Sequence, residues 1–309
     1  MDNKIKNNIS YKNINPEKNK TTLANHFFIL PGVVFILAFL IFPLLYNLVL
    51  SFKDVTLLNL KSGSKFVGIS NYIEIFSDPV FYISLKNTAI FTVASIFFQF
   101  VIGFALALGL NKNFPGRNVF RALLLLGWMI PIIITGTIYK WMFSGDTGVF
   151  NFILEYLGLI DSSIYWLTSE SFALLGVTIA NIWIGIPFNM LILLAGLQGL
   201  PKQLYEAAKI DGASKLKQFI FITLPLMRPS ILILLMLTMI YTFKAFDLVY
   251  IMTGGGPVNS TMIFPLYAYQ EAFTHYDLSI GATISIVMFV FLSVFAMLYL
   301  YLSRKEDSN

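Results

Sequence analysis

The feature that most limits what this chain can fold into is where its charges are missing. Lys20 and Lys53 bracket one uncharged run, with an apolar core from Phe27 to Leu50; Lys86 and Lys112 bracket a second, Arg121 and Lys140 a third, and Glu170 and Lys202 a fourth. Asp277 and Arg304 enclose the last. Between these lies a run from Pro225 to about Met252, apolar except for Arg228, Lys244 and Asp247. A helix that crosses a hydrocarbon core about 30 Å thick needs roughly 20 mostly apolar residues, so the runs read as six transmembrane helices. Composition agrees: charged residues make up 12% of the chain, against about 25% in a soluble domain. The expected fold is an all-α integral membrane protein with six transmembrane helices.

The basic residues orient those helices, because Lys and Arg near helix ends are retained on the cytoplasmic side. Fifteen of the 21 fall in the tail 1–26, the loop 111–121, the loop 201–229 and the C-terminus. The alternate loops hold only Lys53, Lys61 and Lys65. Both termini are therefore expected to be cytoplasmic. The first apolar run is too long for a signal peptide, follows a polar tail and has no small-residue cleavage site behind it, so it reads as an anchor. The boundaries expected are a largely disordered cytoplasmic tail 1–26, a first transmembrane helix 27–50, an external loop 51–83, a membrane core 84–303 and a cytoplasmic tail 304–309. Within the loop, "VGISNYIEIFSDPVFYISLKNT" suggests a folded cap or a short interfacial helix.

Several chemistries drop out. There is no cysteine, and the two histidines, His26 and His275, are far apart, so no metal site and no catalytic constellation is expected. No cofactor is expected either. The net charge of +5 belongs to the positive side of a membrane rather than to nucleic-acid binding. A glycine-rich phosphate loop of the form G-x-x-x-x-G-K-[ST] does not occur, so the chain has no means of its own to bind and split ATP in the usual way.

One polar stretch interrupts the apolar blocks. "LPKQLYEAAKIDGASKLKQFIFITLPLMRPS" reads as a short helix, a tight turn and a second short helix that feeds a transmembrane helix. Pro201 suits a first helical turn, and Asp211-Gly212 supplies a residue able to take positive φ at the end. Ala207, Ala208 and Ala213 would let another backbone approach closely. Two readings follow from the residues alone: a hairpin lying on anionic headgroups through Lys202, Lys209, Lys215 and Lys217, or a docking surface for a partner.

The run "EAAKIDGASKLKQFIFITLP" resembles the cytoplasmic EAA loop of the inner-membrane permease subunits of binding-protein-dependent, ATP-driven (ABC) importers. Glu206, Ala207, Ala208, Gly212, Ile222, Leu224 and Pro225 match that pattern. "NTAIFTVAS" at 87 resembles the opening of the type I permease core, and "TGGGP" at 253 is similar to a segment of carbohydrate permeases. Within that group the tail before the first helix, the TGGGP segment and the plain charged C-terminus look like the maltose-permease larger-subunit type; the large inserted external domain of the enterobacterial maltose subunit is missing, which looks more like the glycerol-phosphate or multiple-sugar branch. This resemblance implies a type I ABC importer permease fold in a bacterial cell (inner or plasma) membrane. The partners implied are a second homologous permease, a dimer of ABC ATPases, an extracytoplasmic solute-binding protein and a sugar or sugar-derivative substrate. It implies a coupling loop, 201–224, in which Glu206, Ala207, Ala208, Asp211 and Gly212 engage the ATPase, and an external gate at Gly254, Gly255, Gly256 and Pro257. The glycines by themselves say only that a turn is there.

The solute path has weaker markers. "ANIWIGIPFNM" sets Asn181, Trp183 and Asn189 around an expected break at Gly185 and Pro187; amides bond hydroxyls and aromatic faces stack on sugar rings, while tryptophan is also common in helix packing. Pro229 to Phe243 covers only about 22 Å, which leaves Lys244 and Asp247 at or inside the outer part of the bilayer on one helix face, either facing a cavity or paired with each other. Tyr241 is taken with them as a candidate. The rival class, an ion-gradient-driven secondary carrier, would normally show inverted repeats, and no convincing internal repeat is seen.

Overall fold

Inside a bilayer every backbone N–H and C=O must find its partner within the protein, and the apolar runs resolve this as helices. The computed structural model describes residues 21–60 and 64–307. The tail residues 1–20 and Lys61 lie outside the described residues. The chain divides into two units, up to Asn47 and from Leu48 onward. In the first, helix α1 (Thr21–Ile36) passes through one π-helical turn into α2 (Phe42–Leu50), whose last residues open the second unit.

The second unit begins with a two-residue antiparallel ribbon, β1 (Lys53–Asp54) on β2 (Lys65–Phe66), and α3 (Ser70–Ser77). Buried Asn71 ties them, its amide donating to the Ser51 and Lys53 carbonyls at 3.0 and 2.8 Å. Asp78 then caps α4 (Pro79–Leu110), accepting from Val80 N–H at 2.9 Å. Next come α5 (Arg117–Met129), α6 (Ile132–Met142), α7 (Val149–Tyr156) and α8 (Ala173–Gln198). After them lie α9 (Lys202–Ile210), α10 (Lys215–Gln218), α11 (Leu224–Phe243), α12 (Asp247–Met252), α13 (Phe264–Tyr269) and α14 (Leu278–Asp307).

Five helical segments among the described residues are long and apolar enough to cross a membrane: Phe28–Leu50, Pro79–Leu110, Ala173–Gln198, Lys215–Phe243 and Leu278–Tyr301. The sixth expected crossing, the third in sequence, is not one straight rod. In its place α5 and α6 meet at a 94° bend at Ile130-Pro131, a pair that makes a sixth crossing only when the two are taken as one span and is otherwise a re-entrant loop. Proline biases the residue before it out of the helical region, and Ile130 has extended backbone, φ −69° and ψ 129°.

Two expectations about local geometry need correction. The stretch around Gly185 and Pro187 is not a break, since α8 runs unbroken from Ala173 to Gln198 with Pro187 inside it. The glycine is there to make room. A Cβ at Gly185 would run into the Gln99 side chain of α4, while on α4 a Cβ at Gly103 would meet Asn189 and the Met190 backbone. The two helices thus notch into one another, the small-residue packing by which membrane helices associate without a hydrophobic drive. They make the most extensive helix–helix contact among the described residues.

The fifth span also differs. α10 continues through a π-helical turn, Phe219–Thr223, into α11, so the crossing helix runs 29 residues from Lys215 to Phe243, about 43 Å at 1.5 Å per residue. The expected length of about 22 Å falls short because the helix continues upstream of Pro229: the wider π turn accommodates Pro225, which has no N–H to give. The helix stops at Phe243 and restarts at Asp247. Lys244 and Asp247 therefore do not share a helix face.

Candidate functional site

Three places draw together the residues singled out from the sequence. The first is a cavity of about 310 Å³ where the middle of α8 faces α4, α5 and the α11–α12 junction. Asn181, Asn189, Tyr241, Lys244 and Asp247 all line it. Its polar wall is built from α8 and α4: Gln99 donates to the Asn181 carbonyl at 2.8 Å, and the Asn181 amide donates to Ser95 Oγ at 2.9 Å. Asn189 donates to the Gly185 carbonyl at 2.9 Å and, more weakly, to Gln99 Oε1 at 3.5 Å. Two lining atoms, Asn189 Oδ1 and Thr238 Oγ1, are buried and have no protein partner. Buried polar atoms are nearly always paired, so this wall is left able to bond something that enters. Trp128, Phe188, Tyr241 and Phe246 supply aromatic faces.

Trp183 does not line this cavity. Its ring lies over Gly127 and packs 5.8 Å from the Tyr139 ring, a helix-packing role. Lys244 and Asp247 form no ion pair with each other; Lys244 Nζ instead lies 5.3 Å from the centroid of the Tyr241 ring, and both charged groups are exposed. Each is left available at the cavity rim.

The second place is the hairpin α9–α10. Gly212 adopts φ +75°, and Gly212 N–H bonds Lys209 O at 3.1 Å while Ala213 N–H bonds Ala208 O at 2.8 Å. This is the Schellman closure, in which a left-handed residue just past the helix satisfies the last carbonyls. Ser214 then caps α10. Glu206, Ala207 and Asp211 are exposed and Ala208 is half-buried. The hairpin is fastened from below by Tyr205, whose hydroxyl shares a 2.9 Å hydrogen bond with Thr223, and by Gln218, which donates to Ala213 O at 2.9 Å.

The third place, Gly254 to Pro257, is a turn bound into the structure. Gly254 and Gly255 take φ +62° and +95°. Thr261 Oγ1 donates to Gly256 O, Gln270 donates to Gly254 O, and buried Asn87 of α4 donates to the carbonyls of Asn259 and Met262 at 3.0 and 3.1 Å. Gly255 is buried, and the exposed tip is Val258.

Outside the membrane-spanning segments, Glu74 on α3 has its carboxyl raised above the usual range by partial burial and then by the charges of Asp277, Glu271, Asp54 and Asp78. The Tyr267 hydroxyl, pushed up by burial and by its hydrogen bond to Asp78, stays a proton donor.

Residues 99–307 match the family model for the binding-protein-dependent transport system inner membrane component. The chain belongs to this family. The permease is 36% identical to the trehalose/maltose transport system permease protein MalF of Thermococcus litoralis, over 98% of this chain and 99% of that one. It is 35% identical to the lactose transport system permease protein LacF of Rhizobium radiobacter, over 90% and 93%. Its fold resembles a chain of a bacterial ABC transporter involved in the import of the acidic polysaccharide alginate, with a TM-score of 0.78 and 23% identity, covering 92% of this chain and 96% of that chain. The permease is thus a multi-pass inner-membrane subunit of an ABC transporter.

Sequence reasoning missed part of the cavity wall. Gln99, Trp128, Phe188, Thr238 and Phe246 were not singled out. Gln99 had a signal, as the lone glutamine in the uncharged run between Lys86 and Lys112. Trp128 had none that separates it from Trp183.

Proposed function

We propose that the permease forms half of the translocation pathway of an ATP-driven sugar importer, with a second related permease as the other half. The observation that carries this reading is the cavity beside α8: amide groups on one side, aromatic rings on the other, and two buried oxygens awaiting a donor or acceptor. Sugar hydroxyls satisfy such oxygens, and sugar C–H faces stack on rings. The trehalose/maltose and lactose permeases among its relatives support the same class.

Power comes from outside the chain. The α9–α10 hairpin inserts into an ABC ATPase dimer, with Glu206 as a polar contact, Ala207 and Ala208 allowing close approach, and Asp211-Gly212 setting the helix angle. ATP-driven closure of that dimer turns the permease pair from inward- to outward-facing. Both termini and this hairpin lie in the cytoplasm, while the segment Gly254–Pro257 lies on the opposite side, shaping the gate where an extracytoplasmic binding protein delivers solute. Lys244 and Asp247, unpaired with one another, contact solute at the rim.

The test is reconstitution of the permease with its neighbouring gene products in lipid. Sugar uptake and ATP hydrolysis are expected to rise together only when the loaded binding protein is present. Uptake driven by a sodium or proton gradient with no ATPase in the vesicle would overturn the reading in favour of a secondary carrier.

A further inference from the structure

A second cavity, of about 880 Å³, lies beneath the hairpin, where α4 and α8 end. Lys112, Arg117, Lys202, Lys209 and Lys215 line it, with Glu206 as the single carboxylate. These cations come from three separate stretches of chain: the turn after α4 with the first residue of α5, helix α9, and the first residue of α10. Among the described residues, none of the five forms an ion pair with a carboxylate. Arg117 is held in place by a 2.8 Å hydrogen bond to Asn113.

The ordinary retention of positive charge on one side of a membrane asks only that cations be there, not that distant segments bring them around one space. Helix dipoles do not account for them either. α5 opens on Arg117 and α9 on Lys202, with no acidic residue in either first turn, and a cation at a helix N-terminus is of the unfavourable sign. An anion between them would reverse that. Leu108 and Leu197, near the ends of two membrane-spanning helices, also line the cavity, which sets it at the level where headgroups lie.

We infer that this cavity is a binding site for a phosphate-bearing anion, either the headgroup of an anionic lipid or free phosphate, seated between the ends of the spanning helices and the hairpin. The site is independent of the solute cavity, so its failure would leave the importer reading standing. An occupant there bridges α9 to α4 and α5, and so ties the position of the hairpin to what lies in the inner leaflet or the cytoplasm.

The experiment uses the full-length permease in neutral detergent, with native mass spectrometry against dioleoylphosphatidylglycerol and dioleoylphosphatidylcholine, and thermal shift against inorganic phosphate. The wild-type chain is expected to retain the anionic lipid in preference to the neutral one, or to be stabilised by phosphate. Lipid retention without a phosphate response identifies the headgroup as the source; a phosphate response alone identifies the soluble anion. Lys112→Gln/Arg117→Gln is expected to weaken whichever is seen, by about fivefold for each cation removed. Lys112→Arg keeps it, and Lys53→Gln/Lys65→Gln, the same charge loss elsewhere, leaves it unchanged. Should the double variant fail to fold by gel filtration, Lys215→Gln gives the same reading. Absence of both responses in the wild type overturns the site, as does an undiminished response in the folded double variant.

Discussion

The cavity beside α8 and the α9–α10 hairpin are built in opposite ways. The cavity takes side chains from α4, α5, α8, α11 and α12, and its amides are locked by hydrogen bonds that join residues 82 to 90 positions apart. The hairpin is made from one continuous stretch, closed by bonds that span three to eighteen residues, and it shows its functional candidates to solvent. A cavity of the first kind holds its shape because many distant elements must move together to change it. A hairpin of the second kind can be carried as one body, because Gln218 closes it onto its own turn, while Tyr205–Thr223 and the continuous helix below join it to the span.

The sharpest way to break this contrast is at Gly212. Gly212→Val puts a β-branched residue at φ +75°, a conformation that costs about 1–2 kcal/mol for an L side chain, although open space surrounds the site. We expect sugar uptake to fall at least about tenfold, a factor equivalent to roughly 1.4 kcal/mol of lost coupling, while membrane insertion and cavity binding persist. Normal coupled uptake would show that the hairpin does not transmit force. Next in size is Gly103→Val, which wedges α4 from α8 and should cost about 1–3 kcal/mol. The melting temperature of the purified permease measures it, and an unchanged value would mean that the notched interface is not tight.

A matched tryptophan pair sharpens the cavity side. Trp128→Ala should raise the KM for uptake several-fold, since a stacked ring contributes about 1 kcal/mol, whereas Trp183→Ala should lower thermal stability and leave KM near wild type. The reverse outcome would relocate the solute path. Tyr205→Phe removes the hydroxyl bonded to Thr223 and is expected to cost about 1 kcal/mol, read as a modest drop in uptake per ATP hydrolysed.

The smallest effect concerns pH and lies outside both regions. The Glu74 carboxyl is raised in the folded protein, so the fold holds that proton more tightly than the unfolded chain. Its contribution is present in full below the ordinary glutamate range and is lost as pH rises through the folded value. Glu74→Gln should therefore melt slightly higher than wild type at neutral pH, with the difference vanishing in acid.

How much of each region could be read in advance follows the same contrast. The hairpin's turn was legible because a Schellman closure is a local event: Asp211-Gly212 after a short polar helix needs nothing from the rest of the chain. The cavity was legible only in part. Asn181 and Asn189 stood out as amides in an apolar run, but the choice between Trp128 and Trp183 depends on which way α5 meets α8, a contact between helices far apart in sequence. The proline after Gly185 misled because a broken helix and a helix notched against Gln99 leave the same small-residue mark. Lys244 and Asp247 misled because three-residue spacing implies a shared face only if the helix continues.

By itself the amino-acid order determined that this chain lives in a membrane, about how many times it crosses, and where its polar hairpin turns. Those properties follow from hydrophobic transfer and local backbone conformation, which act along the chain. Only the tertiary structure decided which amides face one another, which tryptophan borders the cavity and which cations surround the space beneath the hairpin. Each of those depends on contacts between helices remote in sequence, and the energy of such a contact exists only after the helices have packed.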